Sequence, residues 1–185
     1  MIRNTLLLAL PLALAACGQS KTASEPATSE TAIPSPDARL ADAKLVVDAN
    51  GLGARGSEGM KFGATRTEVD GLGSKAFGSE PSTSQNEECG AGPMEFSEFG
   101  PLQVAYLDGK FAGWFLREGE GVVTSDGIRP GMTLDELKAE RQVRDLDSTL
   151  PGEFEYTAED FGTIRGFAED GKITALQAGV SCFFR

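Results

Sequence analysis

Met60-Lys61-Phe62-Gly63-Ala64-Thr65-Arg66-Thr67-Glu68-Val69 is met again in altered form 68 positions later, as Ile128-Arg129-Pro130-Gly131-Met132-Thr133-Leu134-Asp135-Glu136-Leu137. Glycine, threonine, glutamate and the closing aliphatic residue coincide. In both copies Thr-x-x-Glu has the spacing of a capping box, in which the hydroxyl accepts from the amide three residues on and the carboxylate reaches back. A short helix is therefore expected to start at Thr65 and another at Thr133. Gly63 and Gly131 stand just before the caps, where a backbone free to take positive φ can turn the chain into the helix. On this reading Glu68 and Glu136 are structural, not catalytic.

A second pair of blocks follows in the same order. Phe99-Gly100-Pro101-Leu102 and Asp108-Gly109-Lys110-Phe111 align, 62 positions on, with Phe161-Gly162-Thr163-Ile164 and Asp170-Gly171-Lys172-Ile173. Asp-Gly between alternating apolar residues favours a two-residue hairpin turn. Such a turn sets Tyr106 opposite Phe111, Val104 opposite Gly113 and Leu102 opposite Phe115, and that side is expected to face the core. The other side then carries Gln103, Ala105, Ala112, Trp114 and Leu116. In the second hairpin it carries Arg165, Phe167, Thr174 and Leu176, with Ile164, Gly166, Ala168, Ile173 and Ala175 facing inward. Further strands are expected at 94–99 and 154–157. Two blocks in one order argue for an internal repeat, the first copy being longer around residues 74–93. The fold class expected is α+β: two tandem repeats, about 44–120 and 121–185, each a short helical segment followed by an antiparallel β-meander. They pack as one domain over residues 44–185, a length sufficient for its own core.

The N-terminus speaks to location. After Arg3, residues 6–16 form an apolar run too short to span a bilayer but suited to a signal-peptide core. It ends in Leu14-Ala15-Ala16-Cys17, which resembles the bacterial lipobox; an ordinary secretory signal containing a cysteine is the alternative. The resemblance implies that residues 1–16 are removed and that Cys17 becomes a lipidated N-terminus, a membrane anchor. Gly18, in place of the Asp that retains enteric lipoproteins, directs the expectation to the outer membrane, facing the periplasm. Residues 17–43, with Pro26, Pro34 and Pro36 and few large apolar side chains, read as a flexible tether.

Two cysteines remain, Cys89 and Cys182. In an oxidising compartment a disulfide between them is the economical reading, and a free reactive thiol the competing one. The closing Cys182-Phe183-Phe184-Arg185 most simply pins the chain end to the core.

The chain carries a formal charge of −11, and −12 without Arg3. Nucleic acid and anionic headgroups are poor partners for such a surface, whereas cationic proteins or metal ions would be attracted; ordinary solubility is the simpler reading of the charge. There is no histidine, which excludes Ser-His-Asp and Cys-His activation and the usual mixed zinc sites. Carboxylate chemistry has only Glu87-Glu88, Asp145 with Asp147, and Glu159-Asp160 to draw on, and none of these shows calcium-loop spacing. No cofactor, metal site or catalytic residue is expected, and the chain is not expected to be an enzyme.

Behind a lipobox, a glycine, a Thr-x-x-Glu helix and a meander with an Asp-Gly turn, given twice, resemble exported bacterial lipoproteins with tandem helix-plus-sheet repeats. More distantly the pattern is similar to the outer-membrane assembly lipoproteins of the SmpA/OmlA type and to the beta-lactamase inhibitor protein. The inhibitor resemblance implies two units whose sheets make a concave protein-gripping surface. One cysteine per repeat departs from that family, which has a disulfide within each unit, and the assembly lipoproteins have a single unit. The function expected is a lipid-anchored, non-enzymatic module that binds an envelope protein through its open sheet face. Trp114, Leu116, Phe167 and Leu176 are the candidate anchors, unless Trp114 packs beneath the N-terminal segment or the other repeat. The alternatives are an inhibitor of a cationic envelope hydrolase such as lysozyme and, further off, a carboxylate-based enzyme.

Overall fold

Both capping boxes form. The computed structural model describes residues 35–158 and 162–182. In it, Thr65 and Thr133 accept through Oγ1 from the amides of Glu68 and Glu136 at 3.4 and 3.2 Å, while each carboxylate takes the threonine N–H. They open helices α2 (Arg66–Phe77) and α3 (Leu134–Glu140); a first helix, α1 (Pro36–Ala41), is capped by Ser35. No described helix is long and apolar enough to cross a membrane.

The strands make two sheets, and the class is α+β as expected. In the smaller sheet β1 (Leu45–Asp48) pairs antiparallel with β2 (Gly51–Ala54), β2 with β3 (Met60–Lys61), and β8 (Val122–Thr124) runs parallel to β1. The larger sheet is antiparallel throughout. Its first four strands are β4 (Ser82–Asn86), β5 (Met94–Phe99), β6 (Leu102–Leu107) and β7 (Lys110–Arg117). Its others are β9 (Val143–Asp145), β10 (Glu153–Thr157), β11 (Thr163–Glu169) and β12 (Lys172–Gly179), in the spatial order β4-β5-β6-β7-β12-β11-β10-β9. The strands expected at 94–99 and 154–157 are β5 and β10.

Each segment before a capping box is bonded to the hairpin that follows it in its own part of the chain. Gly63 N–H donates to Phe111 O and Phe111 N–H to Ala64 O, both at 2.8 Å. Gly131 N–H donates to Ile173 O and Ile173 N–H to Met132 O, at 2.8 and 2.9 Å. The chain leaves these strand-like contacts for the helix through Gly63 and Gly131 at φ 97° and 96°, a region that L side chains avoid. The Asp-Gly turns form as well, with both residues at positive φ: 51° and 70° for Asp108 and Gly109, 50° and 76° for Asp170 and Gly171. That is the type I′ hairpin geometry.

The register beyond those turns differs from expectation. Tyr106 faces Phe111, but a bulge between Ala105 and Tyr106 then sets Ala105 opposite Gly113, Val104 opposite Trp114 and Leu102 opposite Leu116. The second hairpin does the same between Phe167 and Ala168, setting Phe167 opposite Ala175 and Gly166 opposite Leu176. One extra residue, Ala112 or Thr174, sends every later side chain to the other face. Both extra residues are held: Ala112 O accepts from Val180 N–H at 2.9 Å, and Thr174 Oγ1 donates to Phe167 O at 3.2 Å. Tyr156 faces Ile164 as Phe99 faces Leu102; Phe161 lies outside the described residues.

The bulges correct three of the four candidate anchors. Trp114, Leu116 and Leu176 are 2, 0 and 0% exposed, and they join one core with Leu45 and Val47 of β1, Val69 of α2 and Leu137 of α3. The Trp114 indole N–H donates to Asp48 O at 2.7 Å, so the smaller sheet both covers the ring and satisfies its donor. Packing beneath the N-terminal segment is thus the arrangement of Trp114.

Trp114→Ala is expected to cost about 3–5 kcal/mol in denaturant unfolding, and Phe115→Ala, one position on but facing outward, less than half as much; equal losses would contradict the bulged register. Thr133→Ala should cost about 1 kcal/mol through its lost cap. The Glu68 carboxyl is held below its ordinary pKa by the Thr65 hydroxyl and amide. The linked stability is present above the ordinary carboxylate pKa and lost as pH falls through the lowered value. Thr65→Ala should return Glu68 toward the ordinary value in an NMR titration, and an unmoved Glu68 would contradict the box.

Candidate functional site

Alternation along the large sheet assigns its two faces. The inner face holds Leu102, Val104, Trp114, Leu116, Leu176, Gly166 and Phe154, and onto it pack α2, α3 and the smaller sheet. The outer face holds Glu98, Gln103, Phe115, Arg117, Gln177, Arg165, Phe167 and Glu155, by the same pairings. Phe167 alone of the candidate anchors stands there, half-buried.

A second, smaller core lies on the outer side. Met94, Phe96 and Ala105 gather with Cys89, Leu107, Val180 and Cys182. The chain reaches them by leaving β12 at Gly179, bonding Val180 to Ala112 and joining Cys182 to Cys89 in a disulfide across a sequence separation of 93. The economical reading of the cysteines is therefore what the fold contains. Gly113 makes the crossing possible: a Cβ there would stand 2.2 Å from Val180 O, so backbone passes directly over backbone.

Two clefts flank the crossing segment 180–182. The first, about 510 Å³, is lined by Ser84, Asn86, Phe96, Gln103, Phe115 and Ser181, among others. The second, about 420 Å³, is lined by Glu155, Thr163, Arg165, Gln177 and Ser181 with Ala178 and Gly179. The charges between them are tied to one another. Glu98 accepts from Gln103 at 3.0 Å and lies 3.9 Å from Arg117, whose guanidinium sits 5.2 Å from the Phe115 ring centroid. Glu155 holds Arg144 and stands 3.9 Å from Arg165. The Phe115 and Phe167 rings lie 6.4 Å apart, so aromatic and paired charged groups share one surface. Gln177, opposite Phe115, is 4% exposed, and its Oε1 has no hydrogen-bond partner among the described residues.

The remaining polar clusters lie on the other side and hold elements together. Tyr106 donates to Asp70 of α2 at 2.6 Å, and Arg66 joins Asp70 and Glu95 at 3.2 and 2.7 Å. Burial, reinforced by the bond to Asp70, keeps the Tyr106 hydroxyl protonated far above its ordinary range. Tyr156 is raised in the same way by burial and by the charge of Asp126. Arg141 ties the end of α3 to Asp126 at 2.9 Å, and Arg39 of α1 reaches Glu140 at 3.0 Å. Of the two hydroxyls it is that of Tyr106 which donates, to Asp70. Among the described residues no group of three or more His, Cys, Asp or Glu side chains could hold a metal.

Cys17, Glu159-Asp160 and the closing residues 183–185 lie outside the described residues. Glu87 and Glu88 are exposed in the loop after β4. The sequence did not single out Phe115, Arg117 or Gln177 as outward-facing; all three follow from the bulges, whereas Gln103, Ala105, Arg165 and Phe167 were on the outer side from the start. The chain matches no protein-family model, no curated protein and no solved structure.

Replacing Cys89 and Cys182 together by serine is expected to lower unfolding free energy by at most about 4–5 kcal/mol, the chain-entropy figure for a loop of this length. No change in the denaturation midpoint would show that the crossing segment is held without the bridge.

Proposed function

We propose that this chain is a lipid-anchored protein of the bacterial cell envelope, held by Cys17 in the outer membrane facing the periplasm. Its folded part is a non-enzymatic module that binds another envelope protein. The observation that carries this reading is the division of the large sheet: helices and smaller sheet on the inner face, and on the outer face aromatic rings, paired charges and two clefts. A broad, rigid surface of that composition is what protein interfaces favour. Phe167 stays among its anchors, and Phe115, Arg117 and Arg165 replace Trp114, Leu116 and Leu176.

The same reading holds that the domain is a tandem repeat, about 44–120 and 121–185. In its support, both halves have a capping box bonded to an Asp-Gly hairpin and the same bulge two pairs beyond the turn. The pairing of β7 with β12 sets Phe115 opposite Gln177, residues that are themselves 62 positions apart. A pseudo-twofold axis between them would relate β4–β7 to β12–β9. Two such units sharing a binding surface is the arrangement implied by the likeness to the beta-lactamase inhibitor protein.

The acidic surface favours a cationic partner, since opposite net charge raises association rates in a salt-dependent way. That property supports a second reading, inhibition of a cationic envelope hydrolase such as lysozyme.

Cys17→Ser is expected to move the protein from the membrane fraction to the soluble one, and unchanged sedimentation would contradict the anchor. In-cell crosslinking of the tagged chain should capture one reproducible envelope protein, lost in a folded Phe167→Ser variant. Capture unaffected by that variant would remove the outer face as the site, and failure to slow lysozyme at low salt would end the inhibitor reading.

A further inference from the structure

Strand β4 closes one end of the large sheet. Among the described residues it pairs with β5 alone, through Ser82–Glu98 to Asn86–Met94, and all five of its residues are exposed. Proteins ordinarily protect such an edge with charge, proline, a bulge or brevity, because its unpaired backbone groups are a template for another strand. Within Ser82-Thr83-Ser84-Gln85-Asn86 there is no charge and no proline, Pro81 standing just ahead of the strand, and the pairing with β5 is unbroken. The opposite edge, β9, is only three residues long, with Arg144 engaged by Glu155 and the chain turned back by Leu146 N–H on Glu153 O at 3.0 Å. The two edges are thus unequal, and β4 is the open one.

We propose that β4 is a docking edge on which an extended, cationic segment of a partner protein adds as a further antiparallel or parallel strand. The proposal rests on the protein-binding reading above and names the site and the chemistry of the partner. Main-chain bonds would supply affinity, and pockets for alternate side chains selectivity. Such a pocket adjoins the edge: Ser84 and Asn86 form the near wall of the 510 Å³ cleft, with Phe96 and Ala105 among its other lining residues. Ser82 and Ser84 are small enough for an apolar side chain of the added strand to lean across them. The charge of the partner follows from the flanks. Glu80 precedes the strand and Glu87 and Glu88 follow it, all exposed, on a chain of net charge −11. Lysine or arginine at both ends of the incoming segment would meet them.

The test uses the full-length chain in detergent with three synthetic peptides of alternating Val and Thr: one with Lys at each end, one with Glu at each end, and one Lys-ended but N-methylated at alternate residues. Amide NMR shifts and hydrogen exchange are the readouts. The Lys-ended peptide is expected to shift and protect amides within residues 82–86. Its affinity should fall on adding salt, drop about tenfold or more with Glu ends, and vanish on N-methylation. Thr83→Pro and Ser84→Pro are made in turn, since neighbouring residues point their N–H groups to opposite sides and one of the two removes an outward donor; that variant should lose the peptide while keeping the β5 pairing. Unresponsive amides at 82–86, or equal binding of the N-methylated peptide, would overturn the proposal. So would a peptide-free dimer that protects β4, which would make a second copy the occupant. Should the peptides fail while the crosslinked envelope partner persists, the docking edge falls and the protein-binding reading stands.

Discussion

The ladder between β7 and β12 is the constraint on which the rest of the structure depends. On either side of it lie a hairpin, a capped helix and two further strands of the large sheet, and both sides contribute to one core. Pairing Trp114 with Ala178 and Leu116 with Leu176 joins the halves into one eight-stranded sheet whose inner face is continuous. That face is wide enough to be covered by α2 and α3 together with β1, β2, β3 and β8. The smaller sheet shows the same dependence: β1 comes from the start of the domain and β8 from the connection between the halves, and they lie parallel.

Within that frame a single residue in each hairpin decides which surface the protein shows. A regular two-residue hairpin would point Trp114 outward and Phe115 inward. With Ala112 and Thr174 bulged, the indole goes under β1 and finds Asp48 O, while Phe115 and Phe167 come together outside. Burying the ring with its donor satisfied is the better outcome for the largest apolar side chain in the domain.

How much of this was legible follows from the kind of interaction involved. Capping boxes and Asp-Gly turns are local chemistry, so Thr65, Thr133, Asp108 and Asp170 announce them directly, and the disulfide follows from counting. The bulges do not announce themselves, because Phe111-Ala112-Gly113-Trp114-Phe115-Leu116 is apolar in both registers and the residue that bonds the bulged Ala112 is Val180, far along the chain. The smaller sheet was also hidden. Leu45-Val46-Val47 is a short run with no alternation to mark a face, and β2 is half glycine. Three of four anchors were therefore placed on the wrong side by a one-residue shift, whereas Phe167, which precedes the second bulge on its strand, and Gln103 and Arg165 were placed correctly. The open edge at β4 carries no sequence signal at all, since Ser, Thr, Gln and Asn read as loop until the pairing with β5 is seen.

The functional account requires the two halves to act as one rigid body, since a surface divided by a hinge would lose the shared outer face. Native-state hydrogen exchange measures this most directly. Amides of β6 and β7 on one side and of β11 and β12 on the other are predicted to open only with global unfolding, at one common free energy and with one common denaturant dependence. Exchange of β10–β12 at a distinctly lower free energy than β5–β7 would mean that the halves open separately, and would contradict the single sheet on which the account is built.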